Sequence, residues 1–260
     1  MSNRLNLILP AAGLGSRFRE VGETRPKPLI PVFGIPMIMW VLLNFKLQAA
    51  DKIWIISQRA DQLPQNLEKF LVSLGIELEF IEIDGLTEGP ASTVNLVLGQ
   101  IPDDESVLVA NTDQYVFADT ASFIQKIRSG SSCGQILTMT ASSSAWSYVG
   151  RDNEGVITEV VEKVEISNEA TVGVYAWHKS EDAKRSFRDT FNRNLRTNNE
   201  FYVAPTYNFL ISEGKLIESD LVGEHGIAVH GLGIPKDLEL FHKNALAAES
   251  SVLIKSRLGL

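Results

Sequence analysis

Leu5-Asn6-Leu7-Ile8-Leu9-Pro10-Ala11-Ala12-Gly13-Leu14-Gly15-Ser16-Arg17 is the stretch whose reading decides the fold. Leu5 to Leu9 is a short apolar run that ends in a Pro-Ala-Ala-Gly break, the signature of a strand buried on both faces. Such strands belong to parallel sheets covered by helices. Downstream the pattern repeats. The sequence predicts a helix from about Met37 to Ala49 and a second strand from Lys52 to Ser57. Leu67, Phe70, Leu71 and Leu74 recur at helical spacing, with Gly75 as the stop. A third strand from Leu78 to Ile83 breaks at Asp84-Gly85, a helix covers Ala91 to Leu98, and Ser106 to Ala110 is another buried strand. Ligands of such sheets bind at the carboxyl ends of the strands, so functional residues are expected just after Leu9, Ile83 and Ala110.

The middle of the chain changes character. Gln135–Ala141, Tyr148–Arg151, Val156–Glu162 and Ala170–His178 read as strands, with a turn at Asp152-Asn153-Glu154-Gly155. Helices are expected over Glu181–Asn194 and Val203–Ser212, and a strand near Ile227–His230 before Pro235. With no repeat, low-complexity tract or linker, the second half extends the same sheet. The fold class is therefore α/β: a Rossmann-like three-layer sandwich with a mostly parallel central sheet and a mixed extension. Residues 1–240 form a single domain, with halves at 1–115 and 116–240, and residues 241–260 a helical tail docked on the body or on a partner subunit.

The chain has 260 residues, 44% hydrophobic and 22% charged, ordinary for a globular enzyme. Its net charge of −8 argues against binding a nucleic-acid polymer, which takes a basic face. Cys133 is the only cysteine, so no disulfide can form within the chain; it reads as a small buried hydrophobe. No leader pattern and no membrane-length apolar run is visible, and the expected location is cytoplasmic. The four histidines, His178, His225, His230 and His242, form neither a metal pair nor a hydrolytic triad with a serine.

Four stretches carry chemistry. Gly13 and Gly15 follow the first strand, but they complete neither the dinucleotide fingerprint nor the Walker pattern. Taken alone they make a tight strand-to-helix turn. What adds to that reading is two cations: glycines let backbone N–H groups approach phosphate oxygens, and Arg17 supplies a forked donor. Lys27, between Pro26 and Pro28, is aimed by its fixed backbone. Asp84 to Ala91 follows the third strand and caps a helix. Asn111-Thr112-Asp113 follows a buried strand, and Asp113 is positioned for magnesium, which takes one or two carboxylates plus phosphate oxygens and water. Glu162-Lys163 closes another strand.

From Leu9 to Ile38 these residues resemble the signature of the sugar nucleotidyltransferases, the nucleoside-diphosphate-sugar pyrophosphorylases. The motifs are Gly13-x-Gly15-x-Arg17, Lys27-Pro28 and Gly34-Ile35-Pro36-Met37-Ile38. The similarity runs to about Phe241 and is strongest to members from bacterial capsule and surface-polysaccharide loci. It implies a nucleotide-binding first half and an acceptor-binding second half. It implies that Leu9, Ala11, Ala12, Gly13, Gly15 and Ser16, with Glu88 and Gly89, bind the nucleotide, and that Arg17 and Lys27 stabilise departing pyrophosphate. Asp113 is matched to the family's Mg2+ ligand, Lys163 to the residue at the acceptor's phosphate, and Glu162, Gly173 and Glu200 to acceptor contacts. In Asn199-Glu200-Phe201-Tyr202, Asn199 replaces the family's glycine.

The implied partners are a nucleoside triphosphate and a phosphorylated small molecule, probed by an enzyme that needs no membrane; a homo-oligomer stays open. The implied reaction moves a nucleoside monophosphate onto the acceptor phosphate. Two alternatives stand beside it: a cytidylyltransferase for a non-sugar phosphate and a non-catalytic nucleotide-sugar binder. One departure matters. Many members carry a second metal carboxylate just before a Gly-Thr-Pro-like turn, and the matching position here is Gly231, which has no side chain. Asp237, at the start of the next helix, reads as structural.

Overall fold

The computed structural model describes residues 4–71 and 74–260. Part of the helix expected between Leu67 and Leu74 lies outside the described residues, as does the start of the chain. The strands are β1 (Leu5–Pro10), β2 (Pro31–Val32), β3 (Ile35–Pro36), β4 (Lys52–Gln58), β5 (Glu77–Ile83), β6 (Ser106–Ala110), β7 (Gln114–Val116), β8 (Gly134–Thr140), β9 (Ser147–Arg151), β10 (Ile157–Glu162), β11 (Glu169–Trp177), β12 (Ile217–Glu224) and β13 (Val229–Gly231). The helices are α1 (Ser16–Arg19), α2 (Met37–Leu42), α3 (Leu63–Leu71), α4 (Pro90–Leu98), α5 (Ala121–Ser129), α6 (Ser180–Asn192), α7 (Tyr207–Ser212), α8 (Pro235–His242) and α9 (Ala245–Leu258).

Alternation along the buried strands divides the interior in two. In β1, Leu5, Leu7 and Leu9 face one core and Ile8 the other. The same holds in β4 for Ile53 and Ile55 against Trp54 and Ile56, and in β6 for Leu108 and Ala110 against Val107 and Val109. α2, α3, α5, α8 and α9 cover the first core, and α4, α6 and α7 the second. Three layers follow from two-sided burial. Asn6, the polar residue inside β1, is satisfied within the protein: its Oδ1 accepts from Trp54 Nε1 at 3.1 Å and its amide donates to Glu105 at 2.8 Å.

The main path of the sheet runs β10-β9-β11-β6-β1-β4-β5, and β8 pairs with β11 and carries β12. β6, β1, β4 and β5 are parallel, whereas β11 is antiparallel to β6, β8 and β9. The register of β11 against β8 shifts between Thr171 and Val174. Before the shift β11 is flanked by β9, through Ala170 and Tyr148; after it, by β6, through Val174 and Ala110. A cleft opens between those two flanks at the carboxyl end of β6.

The sequence reading departs from the structure at a few elements. α2 ends at Leu42, well short of Ala49. Asn44 stops it: its side-chain amide donates to Val116 O at 2.9 Å and its Oδ1 accepts from Val116 N at 3.0 Å, pairing with β7 as a strand residue would. α5, β7 and β12 were not anticipated. β12 is only partly buried and lacks the alternation that marks a strand, and β7 is three residues long. α9 docks on the body of this chain through Ala247, Ile254 and Leu258.

Candidate active site

The glycine loop leaves β1 and its second glycine sits in the left-handed region, at φ 62°. A Cβ at Gly15 would fall 3.0 Å from the Cβ of Lys27, so glycine here lets the two halves of the Gly-x-Gly and Lys-Pro signature touch. Lys27 starts a 3-10 turn with Pro28 buried beneath it. Gln58, at the end of β4, ties the loop from the side: its amide donates to Ala12 O at 2.9 Å, and its Oε1 accepts from Gly85 N at 3.2 Å. Arg17, on the solvent side of the loop, lines a cavity of about 350 Å³.

Asp113 lines the same cavity from the end of β6, which is the immediate neighbour of β1. Its carboxylate accepts from the Lys27 ammonium, both side chains being about one-fifth to one-quarter exposed at 21% and 24%. The turn after β13 closes over this pair. A Cβ at Gly233 would lie 3.1 Å from Asp113 Cγ and 3.4 Å from Lys27 Nζ. Leu232 N donates to Asp113 O at 2.7 Å, which fixes the turn to the residue it shields. Asp237 occupies the first turn of α8, and its carboxylate also reaches the cavity. A Cβ built at Gly231 would stand 3.0 Å from Asp237 Oδ2. The space beside residue 231 is thus taken by the carboxylate of Asp237.

The opposite wall comes from β9, β10 and β11. Gly173 has φ 72°, and its O accepts from Asn111 N at 2.8 Å. Glu162 is buried and accepts from the Ser147 hydroxyl; burial raises its carboxyl above the ordinary range, against the opposing effect of Ser147. Lys163 adopts φ 60°, a left-handed conformation that costs an ordinary residue roughly 1–2 kcal/mol. Lys163 N donates to Trp146 O at 2.9 Å and so holds that turn. The Lys163 ammonium donates to the Tyr202 hydroxyl, and Tyr202 donates to Glu200 Oε2 at 2.7 Å. Burial, and next Glu200, push the Tyr202 phenol up, keeping it a donor. Asn199, in the place of the family's glycine, has φ 66°. Asparagine is the side chain that tolerates this conformation best after glycine, so the turn survives the replacement.

A Cβ at Gly173 would fall 2.6 Å from Asn111 Cγ in a conformation already unfavourable to side chains. Gly173→Ala is expected to cost roughly 1–3 kcal/mol as an overpacked, strained site. The melting temperature should fall by about 2–4 °C per kcal/mol for a chain of this size, and turnover should fall further through displacement of Asn111. A variant with unchanged melting and turnover would show that the β11 bulge accepts a side chain.

The cavity therefore collects Arg17, Asp113, Glu162, Lys163 and Gly173, with Lys27 bonded to Asp113 and Glu200 reaching it through Tyr202. It does not collect Glu88, whose carboxylate pairs with Arg196 at 2.9 Å and borders a separate depression. Gly89 caps α4 at φ 126°, and a Cβ there would come within 2.6 Å of Phe201 O. Its glycine is required by the close packing of this turn on the 200–201 segment. Sequence reasoning missed Asn111, Trp146, Ser147, Tyr175, Tyr202 and Gly233 as site residues. Asn111 and Tyr202 lay inside stretches already singled out. So did Tyr175, in the strand that holds Gly173, and Gly233, in the turn after Gly231; Trp146 and Ser147 carry no local signal, because the branch of the sheet at β11 brings them in.

Each wall thus brings a cation and a carboxylate, Lys27 with Asp113 on one and Lys163 with Glu162 on the other, to the carboxyl ends of the parallel strands β1 and β6, where α/β sheets bind their ligands. A family model described as nucleotidyl transferase matches residues 5–199, and the chain belongs to that family. A mannose-1-phosphate guanylyltransferase catalytic subunit beta of Drosophila pseudoobscura pseudoobscura is 26% identical over 69% of this chain and 50% of its own length. A UTP–glucose-1-phosphate uridylyltransferase of Synechocystis is 25% identical over 66% and 48%. The chain thus spans about half the length of such curated relatives. Among solved structures, a nucleoside-diphosphate-sugar pyrophosphorylase from Vibrio cholerae aligns over 92% of this chain and all of its own, with TM-score 0.77 and 24% identity. An inositol-1-phosphate CTP transferase from T. maritima aligns over 98% of each chain, with TM-score 0.72 and 15% identity. These two share the fold. No helix among the described residues is long and apolar enough to cross a membrane.

Proposed function

We propose that the protein transfers a nucleoside monophosphate from a nucleoside triphosphate to a sugar 1-phosphate and releases pyrophosphate, with Mg2+ as cofactor, in the cytoplasmic synthesis of activated sugars for surface polysaccharide. The observation that carries this reading is the convergence of Arg17, Lys27, Asp113 and Lys163 on one cavity from four separate segments. The relatives that act on sugar 1-phosphates by name support the choice of acceptor.

An oxygen of the acceptor phosphate attacks the α-phosphorus, the bond from that phosphorus to the bridging oxygen breaks, and the electron pair leaves with pyrophosphate. The attacking oxygen is already anionic, so no general base is required. Catalysis is then positioning and charge neutralisation. Lys163 holds the acceptor phosphate, and Glu162, Ser147 and Glu200 accept from or orient its hydroxyls. Arg17 and Lys27 take up charge on the departing pyrophosphate. The donor set suits magnesium: Asp113 and Asp237, carboxylates on one cavity, would hold it together with oxygens of the triphosphate. Magnesium, when bound, neutralises and orients the phosphates.

Pyrophosphate release, measured for each common nucleoside triphosphate against a panel of phosphorylated sugars and polyols, tests the reading. Release with at least one sugar 1-phosphate is expected; release with none of the pairs would leave a nucleotide-sugar binder, and release with polyol phosphates alone a different transferase. With the active pair, Lys163→Ala and Glu200→Gln should each raise the KM of the acceptor about tenfold or more, the scale of losing a charged hydrogen bond. The KM of the triphosphate should stay nearly constant. The opposite split would put the acceptor elsewhere.

A further inference from the structure

The catalytic cavity does not end at its own wall. Ala145, Trp146 and Asp237 belong also to a second pocket of about 500 Å³, completed by Thr140, Ala141, Ser142, Ser143, Glu224 and His225. This pocket adjoins the cavity through those three shared residues. We infer that it is an acceptor subsite, built to take a neutral, hydroxylated arm that extends the sugar beyond the hexose frame. The inference rests on the transferase reading above and specifies its substrate class.

Geometry fixes the pocket relative to the acceptor phosphate. Trp146 accepts from Lys163 N at 2.9 Å through its carbonyl, and its own N–H donates to Ser143 O at 3.2 Å. The next residue, Ser147, donates to Glu162. Phosphate anchor, hydroxyl acceptor and indole are thus set in one rigid turn. A sugar held by Lys163 and Glu162 has Trp146 as its boundary, and whatever projects past the indole enters the second pocket. On its far side His225 N donates to Thr140 O at 3.1 Å, which pins His225 to the end of β8. Its ring lies 5.1 Å from the indole, tilted by 56°.

The lining chooses the ligand. Trp146 and His225 supply apolar ring surface for the C–H side of a sugar chain, while Thr140, Ser143 and Glu224 offer hydroxyls and a carboxylate to its O–H groups; Ser142, whose hydroxyl donates to Glu165 at 2.7 Å, can still accept. Glu224 and Asp237 are the charged groups of the lining, and neither Lys nor Arg is among them. A carboxylate or second phosphate on the arm would face the Glu224 carboxylate with no Lys or Arg in the lining to pair with, which favours a neutral arm.

The test compares glucose 1-phosphate, a heptose 1-phosphate and glucuronic acid 1-phosphate as acceptors, in the wild-type protein and in Ser142→Trp, which adds bulk to the second pocket at a residue that does not line the catalytic cavity. The wild type should prefer the heptose 1-phosphate in kcat/KM by about tenfold, the worth of one or two good polar contacts, and should use the glucuronic acid derivative worst. Ser142→Trp should reduce the preference for the heptose to within about twofold, lowering kcat/KM for the heptose compound more than for glucose 1-phosphate. Equal use of the glucose and heptose compounds by the wild type, or a preference unchanged by Ser142→Trp, overturns the subsite. Calorimetric titration of the same three compounds into both proteins reads the subsite separately from turnover. If no pyrophosphate is released with any of them, yet the heptose compound binds tighter and Ser142→Trp removes the difference, the transferase reading fails and the subsite stands.

Discussion

Lys27→Ala lowers turnover by at least ~100-fold, the loss expected when one preorganised charge donor is removed. The structure gives this lysine two constraints that a solvated lysine lacks. Its backbone is fixed between Pro26 and Pro28, with Gly15 packed on its Cβ. Its ammonium reaches across to Asp113 and is roofed by Gly233. On the proposed reaction, both would place a positive charge where negative charge accumulates on the leaving pyrophosphate. The contribution to folding is small by comparison: partly solvated ion pairs are worth about 0–1 kcal/mol. Turnover and stability should therefore separate. Arg17→Ala should lose activity on the same scale and change melting still less, since its side chain is exposed and makes no ion pair with the described residues. The measurement is single-turnover pyrophosphate release beside thermal unfolding. Folded variants that lose less than about threefold would return both residues to ordinary surface charge.

The wall of this site built from the glycine loop was legible because its residues are local. β1, the loop, Arg17 and Lys27 lie within 23 consecutive residues, Leu5 to Lys27, and their chemistry can be read from spacing. Asp113 was placed at the end of a buried strand three strands later in the chain; only the order β6-β1-β4-β5 shows that its strand is the loop's neighbour. The acceptor side was legible in part. Glu162, Lys163 and Gly173 followed from a resemblance, but Ser147, Tyr175 and Trp146 depend on the shift in β11, which leaves one flank to β9 and the other to β6. No periodicity in β11 announces a bulge. The same holds for Asn44, whose side chain ends α2 by pairing with a strand 72 residues away. A polar residue in an apolar helical run reads as a surface position until its distant partner is known. The partner of Glu88 was hidden for a related reason: Arg196, which holds it, is 108 residues away.

Asp113→Asn should lower turnover by at least ~100-fold, since metal neutralisation of transferring phosphates is worth several kcal/mol, with little change in melting. Asp237→Asn should cost less, and its effect should lie in the metal requirement. The reasoning starts from Gly231, where the family's second carboxylate has no side chain to come from. Asp237 lies in the first turn of α8, as its position in the sequence suggests, and there it also complements the helix N-terminus. Its Oδ2 nevertheless stands 3.0 Å from the Cβ position of residue 231. A carboxylate has returned to that wall of the cavity from six residues further along the chain. The two carboxylates are unequal, because Asp113 is already paired with the Lys27 ammonium. A cation entering the ligand-free protein must displace that ammonium, whereas a bound triphosphate supplies oxygens for both cations at once. Magnesium should therefore bind weakly to the protein alone and tightly in the presence of a non-hydrolysable triphosphate. Asp113→Asn should abolish the tight phase, and Asp237→Asn should weaken it by about tenfold, the loss of one of two carboxylate ligands. Lys27→Ala should strengthen binding to the free protein by removing the competitor. Calorimetry on the four proteins measures all of this; tight binding to the free wild type, or no response to Asp237→Asn, would place the second ligand outside α8.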